Sequence, residues 1–141
     1  MRYWDTSALL PLVVREDTTE SVSKLYAADP VVLTWWGTRV EAASALARLE
    51  REGNLVGRDL RKAGARLRAL STRWAEVQPS ELLRELAERL LRTHALRSAD
   101  ALQLASASIA SSQRPSTLQF VSLHDHLSEA AQREGFPLAL S

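Results

Sequence analysis

Cysteine is absent from the 141 residues. Disulfides, zinc–thiolate sites and thiol nucleophiles are therefore excluded. Lysine is scarce: only Lys24 and Lys62 stand among many arginines. No P-loop, Gly-rich dinucleotide turn or Ser-His-Asp set occurs in the chain. No apolar run is long enough to span a bilayer. From Met1 onward there is no basic segment leading into an apolar stretch with a small-residue cleavage site, so a cytoplasmic location is expected. The formal net charge is +1, so bulk charge does not mark a nucleic-acid binder. Arginine suits bidentate phosphate contact, although a codon bias toward Arg, Ala and Leu is the simpler explanation of its abundance.

What is present is a core-sized share of apolar residues, 45%, patterned as short runs between longer helical stretches. Arg2 to Trp4, Val31 to Thr34, Trp74 to Val77 and Leu118 to Leu123 read as strands, and Pro137 to Leu140 as a last edge strand. Helical patterns cover Thr6 to Val14, where Pro11 should shorten or kink the helix, then Thr18 to Ala28 and Thr38 to Glu52. Further helices are expected over Arg58 to Arg73, Ser80 to His94 with Ser80 as N-cap, Ser98 to Ser111 and Asp125 to Glu134. The alternation predicts one α/β domain over 1–141 with a mostly parallel sheet and right-handed crossovers. The stretch 58–94 reads as a helical arm within it.

Acids stand where strands meet helices. Asp5 follows the first strand, Glu41 and Asp100 open later helices, and Asp125 follows the fourth strand beside His124. Each has a local explanation. Asp5 suits a helix N-cap. Thr38 and Glu41 have the spacing of a capping box. Asp100 suits the positive end of a helix dipole. Those local roles leave the joint placement on one sheet edge unexplained. Clustered carboxylates repel unless protonated or bridged by a cation. Oxygen donors select hard ions such as Mg²⁺ or Mn²⁺, and phosphodiester hydrolysis is the chemistry such a site suits.

Four blocks carry a resemblance: Tyr3-Trp4-Asp5-Thr6-Ser7-Ala8-Leu9; Arg39-Val40-Glu41-Ala42-Ala43-Ser44-Ala45-Leu46-Ala47-Arg48; Leu96-Arg97-Ser98-Ala99-Asp100-Ala101-Leu102-Gln103-Leu104-Ala105; and Phe120-Val121-Ser122-Leu123 followed by Leu127 and Ala130-Ala131. They resemble the PIN-domain nucleases, in particular the small VapC-type toxins of bacterial toxin–antitoxin pairs. The resemblance implies a three-layer α/β/α fold with strand order 3-2-1-4-5 and Asp5 ending the central strand. It implies a Mg²⁺- or Mn²⁺-dependent endoribonuclease in which Asp5, Glu41 and Asp100 hold the metal and orient the attacking water. Ser7 matches the family's small hydroxyl residue, placed for a metal-bound water or the scissile phosphate.

Counting back from Leu127, the family's fourth acid falls at His124. Asp125 is the preferred fourth catalytic and metal-binding residue, because hard cations favour oxygen, and His124 is the alternative. The resemblance also implies a homodimer and a cognate VapB-type antitoxin whose inhibitory segment enters the acidic groove.

Arg15, Arg39 and Arg97 flank the acidic blocks and are candidates for contact with the RNA substrate. Trp35-Trp36 would stack unpaired bases or, more simply, fill a core or interface. The basic cluster from Arg58 to Arg73 reads as a wet helix face or as a seat for an acidic antitoxin tail. Two alternatives share the fold: a housekeeping RNA-processing nuclease and a degenerate, non-catalytic binding module. A phosphoacceptor receiver domain is disfavoured. Gln78-Pro79 follow the third strand where its phosphoacceptor Asp belongs, and no lysine follows Lys62.

Overall fold

The computed structural model describes residues Met1–Leu140. Strand β1 (Arg2–Trp4) leads into the short helix α1 (Thr6–Leu9) and a 3₁₀ turn, Leu10–Leu12. Pro11 explains the break, since it offers no N–H to continue an α-helix. Helix α2 (Thr19–Ala28) returns to strand β2 (Val32–Trp35), and α3 (Thr38–Arg51) and α4 (Gly57–Ser71) follow. Strand β3 (Ala75–Val77), α5 (Glu81–Thr93), α6 (Ser98–Ala110), strand β4 (Phe120–Val121) and α7 (Asp125–Arg133) complete the order.

The sheet is parallel throughout, in the order β3-β2-β1-β4. The expected fifth strand is not one. Leu138 makes a single parallel bridge to Phe120. The Phe120 N–H donates to Pro137 O at 2.8 Å and the Ala139 N–H to Phe120 O at 3.0 Å. The chain thus occupies the fifth position of the order 3-2-1-4-5 without extending into a ladder, and Pro137 brings no N–H of its own.

Strand β4 is also shorter than the apolar run Leu118 to Leu123 suggests. The Leu118 N–H closes a turn onto Pro115 O, and the N–H groups of Leu123 and His124 go to the hydroxyls of Ser7 and Ser122. The last two donors are taken from the ladder and given to the site.

The period-2 alternation of β1 makes three layers. Tyr3 belongs to a core built with α5, α6 and α7, where Leu83, Leu104, Phe120 and Leu127 are buried with it. Its ring stacks on Phe120 at 5.3 Å. Trp4 belongs to the opposite core with Leu9, Val22, Trp74 and Val121. A smaller cluster of Leu46, Leu55 and Ala63 ties α3 to α4.

The stretch 58–94 is built into this body: β3 pairs with β2, and α5 buries Leu83, Leu86, Ala87 and Leu90. The Ser80 hydroxyl accepts from the Leu83 N–H at 3.1 Å, the N-cap expected there. Gly37, which opens α3, sits against the Trp35 indole. A Cβ there would lie 2.4 Å from Trp35 Nε1, so a side chain would push the start of α3 away from the sheet. Among the described residues no helix is long and apolar enough to cross a membrane.

Candidate active site

The strand order reverses direction at β1: β2 lies on one side and β4, far later in the chain, on the other. In open parallel sheets the crevice forms at that point, beyond the carboxyl ends of the strands. Asp5 stands there. Its N–H donates to Val121 O at 3.0 Å, and its C=O accepts from Ala8 to start α1. Asp5 occupies the N-cap position by backbone, but its side chain makes no cap hydrogen bond. Instead Oδ1 accepts from the Ser7 hydroxyl at 2.7 Å and Oδ2 from the Ser122 hydroxyl at 3.1 Å. The local capping explanation of its side chain therefore falls away. The Ser7 hydroxyl also accepts from the Leu123 N–H at 2.9 Å, so its proton is committed to holding Asp5.

Glu41 lies in the first turn of α3, and the expected capping box does not form. The N-cap is Gly37, and Thr38 is buried one position into the helix. The Thr38 and Thr34 hydroxyls bond each other at 2.7 Å, and Thr34 donates to Trp4 O. Glu41 is left facing the crevice. Its Oε1 accepts from the Thr6 hydroxyl at 3.1 Å and its Oε2 from Gln103 Nε2 at 3.2 Å.

Gln103 is a fully buried polar side chain on helix α6, whose other buried residues, Ser106 apart, are apolar. Its Oε1 accepts from the Tyr3 hydroxyl at 2.6 Å, and its Nε2 also reaches Thr6 and Thr38. Burial holds the Tyr3 phenol well above its ordinary pKa, so it remains a donor.

Asp100 is in the first turn of α6, with its Oδ1 3.3 Å from His124 Nδ1. Asp5, Ser7, Glu41, Asp100, His124 and Arg48 line one cleft of about 520 Å³. Thus β1, α3 and α6 bring the three acids named from sequence to one hollow. Burial raises Asp5 to about 6, against the pull of its two hydroxyl bonds. Burial also raises Glu41 to about 7; the Thr6 and Gln103 bonds oppose this, and the charges of Asp5 and Asp100 add to it. Among the described residues no lysine or arginine forms an ion pair with any of the three.

The structure places Asp125 and His124 differently, and the placement favours the alternative, His124. Helix α7 begins at Asp125, which is exposed and does not line the cleft, while His124 is its N-cap and lies in the cleft against Asp100. The one-residue difference is set by Ser122, whose hydroxyl accepts the His124 N–H at 3.0 Å and fixes where the strand ends. Because His124 orients Asp100, we expect His124→Ala to lower any activity of this site by about tenfold, and Asp125→Ala to change it less than twofold. Initial rates of the two variants under saturating substrate check the ranking.

Arg39 and Arg97 do not line the acidic cleft. Arg39 lines the hollow that contains Trp36 and Val40, and Arg97 one that shares Asp100 and His124 with the cleft. Sequence reading missed Gln103, Ser122, Thr6 and Arg48. Two signals were available: Gln103 follows Asp100 by three positions, and Arg48 follows Glu41 by seven, so each shares a helix face with an acid.

Among the described residues no three His, Asp or Glu side chains stand close enough to form a ready metal-ligand cluster. The donor set nevertheless fits a hard cation of the Mg²⁺ kind. That ion keeps several waters and takes one or two carboxylates directly, and Asp5, Glu41 and Asp100 line one cleft with no lysine or arginine ion-paired to them among the described residues. Carboxylates gathered at the switch point of a parallel α/β sheet suit a site that binds a divalent cation. The chain belongs to the PIN domain family, whose model matches residues 2–114. That family is one of nucleases, and its members generally depend on divalent metals. None of the curated proteins matches the chain significantly.

Proposed function

We propose that this PIN domain is a Mg²⁺- or Mn²⁺-dependent endoribonuclease and the toxin of a type II toxin–antitoxin pair. The observation that carries the enzymatic part is the convergence of Asp5, Glu41 and Asp100 on one cleft without lysine or arginine partners. A phosphodiester is an anion, and it can enter an acidic cleft only with a cation between. Asp5, Glu41 and Asp100 would hold a divalent ion, one or two of them directly and the rest through its waters, and the ion would supply positive charge toward the phosphate and lower the pKa of a bound water. The chain's own residues supply the frame. Ser7 and Ser122 fix both oxygens of Asp5, Thr6 and Gln103 fix those of Glu41, and His124 orients Asp100. Arg48 on the rim attracts a polyanionic strand.

The toxin assignment rests on the VapC-type sequence blocks. A partner surface supports it: an open groove of about 630 Å³ between α3 and α4, with Trp36 half exposed and Val40 more so. It meets the acidic cleft at Val40. A VapB-type antitoxin segment lying there reaches the acids, and a second copy of the chain is the other occupant in keeping with a homodimer.

Incubation with unstructured RNA tests the enzymatic part. Cleavage is expected with Mg²⁺ or Mn²⁺ and none with a chelator. No cleavage with either ion, together with no heat of Mg²⁺ binding, would instead identify a non-catalytic binding module. Induced expression tests the biology: growth arrest relieved by the neighbouring small gene marks a toxin, and growth without arrest marks a housekeeping nuclease.

A further inference from the structure

A second hollow opens beyond Asp100 and His124, away from Glu41. It measures about 740 Å³, within the range of small-molecule sites. All three histidines of the chain, His94, His124 and His126, border it, and Arg97 stands with them. Leu91 and Leu96 form an apolar wall. Because Asp100 and His124 also line the acidic cleft, the two hollows adjoin, a trench divided by this contacting pair.

These side chains differ in availability. His94 is committed, with Nε2 2.6 Å from Glu134 Oε2. His126 is exposed, its ring 6.0 Å from that of His124 at a steep angle. Arg97 is exposed and has no ion-pair partner among the described residues. Flat imidazoles, a guanidinium plane and an apolar wall are what an unstacked nucleobase binds, and a free arginine is what a phosphate binds. An acidic peptide would use the arginine but gain little from the rings.

We infer that this trench holds the nucleotide next to the scissile phosphate of a single-stranded RNA, its base on His126 and the Leu91–Leu96 wall and its phosphate at Arg97. The inference rests on the nuclease reading of the adjoining cleft. It requires an unpaired strand, since a base within a duplex presents no free face.

The test compares the parent protein with Arg97→Ala, His126→Ala and His126→Phe on one unstructured RNA octamer, by steady-state cleavage with Mg²⁺ and by fluorescence anisotropy. Both alanine variants should raise KM about tenfold with kcat changed less than twofold, and His126→Phe should restore the parent value because it keeps a flat ring. Arg97→Ala should also flatten the dependence of log affinity on log salt by about one unit. Parent-like KM and affinity in every variant would overturn the subsite and leave the nuclease intact. Binding weakened by the alanine variants, with no cleavage by the parent, would retain the RNA trench and remove the nuclease. Neither binding nor cleavage by the parent would remove both.

Discussion

Asp100→Asn should abolish metal-dependent RNA cleavage, lowering kcat on the order of a thousandfold while the protein stays folded. Electrostatic help from a divalent ion is worth several kcal/mol in such reactions, and each ~1.4 kcal/mol is a factor of ten. Asp100 is the acid least entangled in the scaffold. Its side chain is partly exposed and contacts His124, whereas Asp5 and Glu41 each accept two hydrogen bonds. Asparagine has nearly the same shape; it removes the charge and exchanges one acceptor oxygen for a donor. Loss of a carboxylate from the first turn of α6 costs about 0.5 kcal/mol through the helix dipole. The melting temperature should therefore move by only a few degrees. Circular dichroism beside single-turnover cleavage makes the comparison, and activity within tenfold of the parent would refute the assignment of Asp100.

Asp5→Asn should do the opposite to stability: without metal at pH 7.5, the variant should be more stable than the parent by about 1–2 kcal/mol, or roughly 5 °C in Tm. Asp5 ordinarily titrates near 3.8 and is raised to about 6 in the fold; Glu41 goes from 4.5 to about 7. Both acids thus hold protons more tightly folded than unfolded. Below pH ~4 the two states are protonated alike and these groups cost nothing. Between pH ~4 and ~7 the unfolded chain releases its protons first, so stability falls as pH rises, and above the folded values the full penalty remains. Two pKa units correspond to about 3 kcal/mol for Asp5. The smaller expected gain allows for the hydrogen bond that an amide cannot accept from Ser7 or Ser122. Mg²⁺ should stabilise the parent by mass action and leave the variant unmoved. Thermal melts between pH 4.5 and 7.5, with and without the ion, check both. A parent whose metal-free stability climbs across that range would contradict the placement of these acids.

Much of the fold was legible because periodicity reports burial. The alternation of Tyr3 and Trp4 to opposite cores, the helical stripes of α5 and α6, and the Ser80 cap all follow from residue type and spacing. Element ends were less legible, because they depend on where backbone donors go in three dimensions. Leu123 and His124 give their N–H groups to serine hydroxyls, one of them from the far end of the sequence, and no local pattern records that.

The same cause removes the local explanation of Glu41. Thr38 and Glu41 have capping-box spacing, but Thr34 and Gln103 claim the Thr38 hydroxyl inside the core. The choice of Asp125 over His124 weighed ligand chemistry, whereas the start of α7 decides which side chain enters the cleft. Gln103 was hidden by its apolar neighbours, although a lone amide on a buried helix face must find partners.

The part of the chain that matches the family ends at Arg114, yet Asp5 is tethered from further on. Val121 receives its amide, Ser122 holds one of its oxygens, and His124 meets Asp100. A protein cut after Arg114 would retain every acid of the cleft but lose strand β4, the core residues Phe120, Val121 and Leu127, and the clasp that aims Asp5. Such a fragment should be an unfinished fold more than a damaged site, and adding residues 115–141 back as a separate peptide is the natural way to complete it.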